Sequence, residues 1–392
     1  MHTLLGMRCI AVKKIKIVFV HDQLICGGTD QALFDLVQLL DKEKFEVSVF
    51  AQKPGGPWDQ KFIDAGIRVV YDYSCRKATW NPVVKMGNIL KKFRTAKAYR
   101  RNGENLLDVC IPEGVDIIVS YSMWDHVLCG FSPKAKSVKY LHGNMQTNAQ
   151  FRELILRDRE LLPRYDRIIG VSQLATDAFK QITGISEGVH TCFNPMNSDY
   201  VHRLAEKKVD LPTDLPLICA VGRLCMEKGF ERLIVIHKRL LEAGFAHRLV
   251  IVGDGEDRDY IRRIVNAVDA QDSVILAGYQ LNPYPYMKQS KFVVCSSFTE
   301  GLPVIAMEAL CLGIPLVSSV PSVSEIFGDE ECGLITENDN QSLLEGIRKM
   351  LTDEDFYQKI KEGAQRRSRY FDGKRMVREV EEIFLDLMKE EK

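Results

Sequence analysis

Two successive trains of short, β-branched apolar runs, each run followed by residues at helical spacing, restrict this chain to parallel open sheets with helical crossovers. The first train begins at Ile15–Val20 (IKIVFV), after which Leu33, Leu36, Val37 and Leu40 fall on one helical face. It continues through Glu46–Phe50, Asp116–Ser120, Ser137–Leu141 and Arg167–Val171. The pattern then lapses from Asn194 to Leu215, where Pro195, Pro212 and Pro216 oppose both helix and central strand, so this stretch is expected to link two domains. A second train follows at Leu217–Val221, Arg248–Val252, Val274–Ala277, Phe292–Cys295 and Leu316–Ser319. Leu344–Met388 reads as charged amphipathic helices. The expected division is an N-terminal domain over 1–195, a linker over 196–215, a C-terminal domain over 216–370, and a final helix over 371–392 available to pack back on the N-terminal domain. Open parallel sheets bind ligands beyond the carboxyl ends of their strands, so both domains are expected to aim their strand-to-helix loops into a central cleft.

At 392 residues the chain exceeds what one core usually organises, consistent with two domains. Lysine plus arginine (53) balances aspartate plus glutamate (53), which leaves no global field to hold nucleic acid. The 11 cysteines include no CxxC pair, and Cys219, Cys295 and Cys311 lie in apolar runs, as small core residues of a protein in a reducing compartment do. No basic region precedes the mildly apolar first twelve residues, so a secretory signal is not expected, nor is a spanning helix. A cytoplasmic location is the expectation.

Four loops that directly follow second-train strands carry the chemistry. Gly222–Gly229 (GRLCMEKG) offers Arg223, a planar fork of donors, and Lys228, a compact charge, ahead of a helix expected near Phe230. Positive charge at a helix start opposes the dipole, so the pair calls for an anion such as a diphosphate. Gly253–Gly255 (GDG) permits close backbone approach, although alone it also reads as a simple turn. The acids of Asp257-Arg258-Asp259 suit a helix N-terminus better than a metal site. A loop with Tyr279 follows the third strand. In Ser296–Cys311 (SSFTEGLPVIAMEALC), Pro303 suits a first helical turn, which sets Glu300 in the preceding loop and Gly301 and Leu302 at open N-terminal amides. Glu308, one of the helix residues beside an apolar stripe, is placed to lean toward the same ligand.

Arg223, Lys228 and the Glu-x7-Glu pair Glu300/Glu308, in this order in the second half, resemble the family-4 retaining glycosyltransferases. The resemblance implies the α/β GT-B fold, two Rossmann-like domains with parallel sheets facing a central cleft. It implies that Arg223 and Lys228 bind the donor diphosphate, that Glu300 touches donor-sugar hydroxyls, and that Glu308 holds the ribose. Gly253, Tyr279, Gly301, Leu302 and Pro303 fall within the implied donor site. In the first half, Gly27-Gly28 is similar to the family's glycine loop, so Gly28 joins the donor-binding set. His142 in YLHGN resembles a histidine that faces the donor sugar across the cleft, against the plain alternative of a structural histidine. Leu302-Pro303 after Gly301 departs from the longer glycine pattern the family often has.

The resemblance implies transfer of a hexose or N-acetylhexosamine from a nucleotide-diphosphate sugar, by default a UDP-sugar, to a glycan or polyprenyl-linked acceptor, with no cofactor and no metal. A GT-B-like sugar-nucleotide epimerase and a non-catalytic sugar-nucleotide-binding protein remain as alternatives. A dehydrogenase is disfavoured because CGGTDQ follows the first strand in place of G-x-G-x-x-G. Lys85–Arg101 holds seven basic residues and no acid among Ile89, Leu90, Phe93 and Tyr99. It reads either as a solvated helix over the sheet or as a contact with an anionic membrane surface on the cytosolic face.

Overall fold

The computed structural model describes residues 13–25, 27–71, 86, 107, 110–111, 113–122, 132 and 134–389. Within them the first train forms a parallel sheet from β1 (Ile15–His21), β2 (Phe45–Ala51), β3 (Arg68–Tyr71), β4 (Ile117–Ser120), β5 (Lys136–Leu141), β6 (Arg167–Gly170) and β7 (Val189–Thr191), in the order β3-β2-β1-β4-β5-β6-β7. The second forms β8 (Leu217–Val221), β9 (Arg248–Val252), β10 (Val274–Gly278), β11 (Phe292–Cys295), β12 (Leu316–Ser318) and β13 (Gly333–Ile335), in the order β10-β9-β8-β11-β12-β13. Among the described residues every strand pairing is parallel, for example Phe19 against Val49 and Val119, and Cys219 against Val250 and Val293. The fold is therefore two Rossmann-like α/β domains.

In each sheet the chain order reverses beside the first strand, between β1 and β4 and between β8 and β11. Helices leaving such neighbours go to opposite faces, which opens a crevice at the strands' carboxyl ends. The loops after β1, β8 and β11, which carry Gly27-Gly28, Gly222–Gly229 and Ser296–Pro303, lie at these two reversals.

Three strands were not foreseen, and all three stand at sheet edges. β3, β7 and β13 are three or four residues long and mostly half-buried, with Arg68 and His190 inside them, so they lack the continuous apolar run that marks a strand buried on both faces. The expected linker also needs correction, because it contains a helix, Ser198–Ala205. Asn197 caps it by accepting from the Tyr200 amide, and Val201 and Ala205, one turn apart, bury against the core. The flanking prolines bound this helix and do not prevent it. The C-terminal helices run over Asn340–Thr352, Glu354–Ser368 and Gly373–Lys389. Among the described residues no helix is long and apolar enough to cross a membrane.

The last helix, Gly373–Lys389, returns to the N-terminal domain. Phe384 is fully buried and meets Phe19 of β1 and Phe45 of β2 edge-on, with centroids 6.3 Å away in both cases. Glu381 accepts from the Asp41 amide at 2.7 Å. Gly373 lies so close to Met196 that a Cβ there would stand 2.5 Å from its carbonyl oxygen. The helix thus completes the N-terminal core. Replacing Phe384 with Ala is expected to cost about 3–5 kcal/mol of unfolding free energy; urea unfolding followed by circular dichroism measures it, and a loss within error of zero contradicts this packing.

Candidate functional site

The first two C-terminal loops interlock through missing side chains. Gly253 has φ +149°, and a Cβ there would lie 1.9 Å from the Gly222 carbonyl oxygen; one at Gly255 would lie 2.4 Å from that of Leu224. The Leu224 amide donates to the Asp254 carbonyl at 3.0 Å and the Asp257 amide to the Leu224 carbonyl at 3.0 Å. The helix after GDG begins at Arg258 with Asp257 as its N-cap, and the helix after Gly229 begins at Phe230.

Arg223 and Lys228 leave this base in different states. The Arg223 side chain is 49% exposed and approaches Glu256 at 3.9 Å. Lys228 ion-pairs with Glu300, and the Ser297 hydroxyl donates to the same Glu300 oxygen at 2.8 Å. Burial disfavours the Lys228 charge, but the Glu300 carboxylate outweighs it and the pKa stands above the ordinary lysine value. A charged, pre-set Lys228 and a half-exposed Arg223 together suit an incoming diphosphate.

Pro303 is extended at the N-cap and the helix runs from Val304 to Cys311, so Pro303 precedes the first turn in place of lying in it. Gly301 does not stand open. A Cβ there would be 2.1 Å from the His142 carbonyl oxygen, and the Ser172 hydroxyl donates to the Gly301 carbonyl at 3.2 Å. Leu302 is buried. Further bonds hold the domains together at the same level: Thr147 to Thr299 at 3.0 Å, Trp58 Nε1 to the Tyr279 hydroxyl at 2.9 Å, and the Gln173 and Leu174 amides to the Glu325 carboxylate. The Glu325 carboxylate thereby satisfies the open N-terminus of helix Gln173–Thr183 from across the cleft. Gly28, the first residue of helix Gly28–Leu39, would place a Cβ 3.4 Å from Val304.

His142 is packed edge-on to Tyr121 (4.5 Å between centroids) and stacked on Tyr140 (5.7 Å). Burial, with the charges of His21 and Lys139, pushes its pKa down to about 3, so the ring is neutral. Its Nε2 is buried and has no hydrogen-bond partner among the described residues. A neutral imidazole with one unsatisfied nitrogen, next to the loop of Glu300, is suited to a hydroxyl.

Glu308 does not lean into an open cleft. It is 7% exposed and accepts at Oε1 from the Tyr284 hydroxyl at 3.0 Å. It faces a buried polar group of the N-terminal domain that sequence reading missed. Lys61 sits 3.4 Å over the Trp58 ring and donates to Gln31 at 3.0 Å, and Gln31 donates to Asp35 at 2.9 Å. Burial raises the pKa of Glu308 to about 8 and of Asp35 to about 7, and Asp35 adds to the effect on Glu308 while Lys61 opposes it. Burial also lowers Lys61 to about 8. Nothing local marks Lys61 or Asp35, because the glutamate they face, Glu308, lies across the cleft. Of the other expected features, residues 85–101 fall outside the described residues except Met86, which is exposed.

The chain is similar to known proteins in sequence and in fold. Residues 202–367 match the sequence model of the family described as glycosyl transferases group 1. A Campylobacter jejuni protein, N-acetylgalactosamine-N,N'-diacetylbacillosaminyl-diphospho-undecaprenol 4-alpha-N-acetylgalactosaminyltransferase, is 28% identical over 379 residues, covering 92% of this chain and 97% of the relative. Among solved structures, Anabaena HepE with UDP and glucose superposes with a TM-score of 0.72 at 18% identity, covering 94% of this chain and 99% of that one. Sucrose-phosphate synthase from Thermosynechococcus elongatus gives 0.73 at 16% identity, over 96% and 100%. These structures share the fold.

Because Glu308 and Asp35 hold protons above their ordinary values of 4.5 and 3.8, the folded protein binds more protons than the unfolded chain up to about pH 8. Their contribution is complete below those ordinary values, falls progressively as pH rises above them, and is lost once pH has passed through about 7 to 8. Lys61, lowered from 10.5 to about 8, acts only above that window. Glu308→Gln is therefore expected to gain stability relative to the unmodified protein as pH goes from 5 to 8, read from urea midpoints; parallel pH profiles would remove the buried-cluster account.

Proposed function

We propose that the chain, whose residues 202–367 match the group 1 glycosyl transferase model and whose two-domain fold is shared with solved glycosyltransferases, is a retaining, metal-independent glycosyltransferase of the family-4 type. It moves a hexose or N-acetylhexosamine from a UDP-sugar to a glycan or polyprenyl-diphosphate-linked acceptor in cell-surface polysaccharide or glycoconjugate synthesis. The observation that carries this reading is the Lys228–Glu300 pair, fixed by Ser297 and brought against the His142 backbone through Gly301. A cation for a phosphate and a carboxylate for sugar hydroxyls thus stand side by side, facing a neutral histidine. The Campylobacter relative, named for an N-acetylgalactosaminyl transfer to a diphospho-undecaprenol acceptor, supports the sugar and acceptor classes. HepE with UDP and glucose supports the uridine carrier.

In this reading the acceptor hydroxyl forms its bond to the anomeric carbon on the face from which the diphosphate departs. The bond from that carbon to the diphosphate oxygen breaks with its electron pair, and the acceptor proton passes to the departing oxygen. Lys228 and the half-exposed Arg223 stabilise the charge that develops there, the role a metal would otherwise fill. Glu300 holds sugar hydroxyls and His142 Nε2 exchanges a hydrogen bond with another. Tyr284 occupies one Glu308 oxygen, which leaves the other to the ribose. Gly28, Gly253, Leu302 and Pro303 let backbone approach the donor, and Tyr279, tied to Trp58, closes its far end. The closed cleft keeps water from the donor.

A donor panel with chelator present, scored by mass spectrometry for binding, slow hydrolysis and transfer, tests the proposal. A UDP-sugar is expected to bind and turn over; no binding by any nucleotide sugar, or activity that collapses with chelator, overturns it. Glu300→Gln is expected to keep donor binding and lose transfer by on the order of a hundredfold, while Arg223→Ala weakens donor binding about tenfold.

The acceptor would be met at the inner face of the cytoplasmic membrane, with the basic stretch 85–101 on anionic lipid. Cosedimentation with phosphatidylglycerol vesicles at low salt is expected, reversed by salt; indifference to such vesicles argues for a soluble glycan acceptor.

A further inference from the structure

Four residues after Lys228, in the first turn of helix Phe230–Glu242, Arg232 is only 5% exposed. A buried guanidinium needs partners to offset lost hydration, and among the described residues no carboxylate is bonded to this one. Its Nε and Nη2 donate to the Ser296 carbonyl at 2.9 and 2.5 Å, and Nη2 also donates to the Ser297 carbonyl at 3.1 Å and the Ser319 hydroxyl at 2.8 Å. Nη1 is buried with no hydrogen-bond partner among the described residues, and the Phe298 ring covers the group with its centroid 4.1 Å from Cζ. Three of these neighbours are consecutive residues of the loop that ends in Glu300.

That loop is bonded in turn to the one that ends in Lys228. The Ser296 hydroxyl donates to the Lys228 carbonyl at 2.9 Å, and the Phe298 amide to the Glu227 carbonyl at 2.8 Å. Gly229, at φ +63°, admits the Ser296 carbonyl where a Cβ would lie 2.3 Å from it and 2.9 Å from Arg232 Nε. The Ser297 hydroxyl then donates to Glu300 itself. A planar fork that fixes two consecutive carbonyls sets the direction of the chain between them, which a lysine reaching one carbonyl does not.

We propose that Arg232 is a positioning residue for transfer: its guanidinium fixes the loop Ser296–Glu300 against the loop of Lys228, and acts on the reaction through Glu300. This rests on Glu300 being the sugar contact, as read above. A misplacement of about 1 Å in such a group costs on the order of a hundredfold in rate.

A double-mutant cycle on the full chain tests it, with Arg232→Met, Glu300→Gln and the pair compared for kcat and donor KM by mass spectrometry, and for UDP affinity by calorimetry. Arg232→Met is expected to lower kcat by on the order of a hundredfold with a smaller change in KM. In the Glu300→Gln background the same substitution is expected to change kcat by no more than about twofold. Arg232→Lys, which keeps the charge, is expected to fall between, and together with Ser319→Ala it carries the same cycle if Arg232→Met does not fold. Losses that multiply in the double variant, or an unchanged kcat in a folded Arg232 variant, overturn the proposal alone. Full transfer by Glu300→Gln itself overturns the assignment of Glu300 and this proposal with it.

Discussion

The contact on which the site depends is the approach of the Gly301 backbone to the His142 carbonyl, where no Cβ can stand. It seats the loop from β11 of one domain against the end of β5 in the other, and the Ser172 hydroxyl locks it by donating to the Gly301 carbonyl. Two groups that belong to separate sheets, the neutral His142 and the Lys228–Glu300 pair, come to share one cleft as a consequence. The helix Gly373–Lys389 supports the same arrangement from behind by joining the end of the chain to β1 and β2.

Electrostatically the cleft has two unlike walls. At Glu300 the charges are paired, and Lys228 keeps its proton despite burial because its partner is beside it. At Glu308 the carboxylates outnumber the single lysine, Lys61, and burial shifts both Glu308 and Asp35 toward the neutral form. Glu300 precedes the helix Val304–Cys311 and Glu308 lies within it, so the two glutamates, eight positions apart, meet different surroundings. A symmetric acid/base pair is incompatible with that difference. In the proposed reading Glu300 takes the sugar contact and Glu308 belongs to a neutral hydroxyl network with Tyr284.

Much of the frame was legible in the residues. Central strands such as Ile15–His21 and Leu217–Val221 are buried on both faces, so their apolar runs are continuous and announce themselves, as does the helix beginning at Phe230 after Gly229. Of the edge strands, Val274–Gly278 was legible, whereas Arg68–Tyr71 and Val189–Thr191 were not, since they are short, need only one neighbour and carry polar residues. The helix Ser198–Ala205 was hidden between prolines because its pattern consists of one buried pair, Val201 and Ala205.

What the sequence by itself determined is everything set by local period and local charge: two parallel sheets, the loops at their strand ends, and the residue types Arg223, Lys228, Glu300 and Glu308 that those loops and the following helix present. Only the tertiary structure decided which of them meet. Ser297 lies beside Glu300 in sequence, but Lys61 and Asp35 lie more than 240 positions before Glu308, and Arg232 reaches carbonyls 64 and 65 positions away. Backbone carbonyls carry no signature in the sequence, and the cost of burying a charge depends on partners that only domain closure supplies.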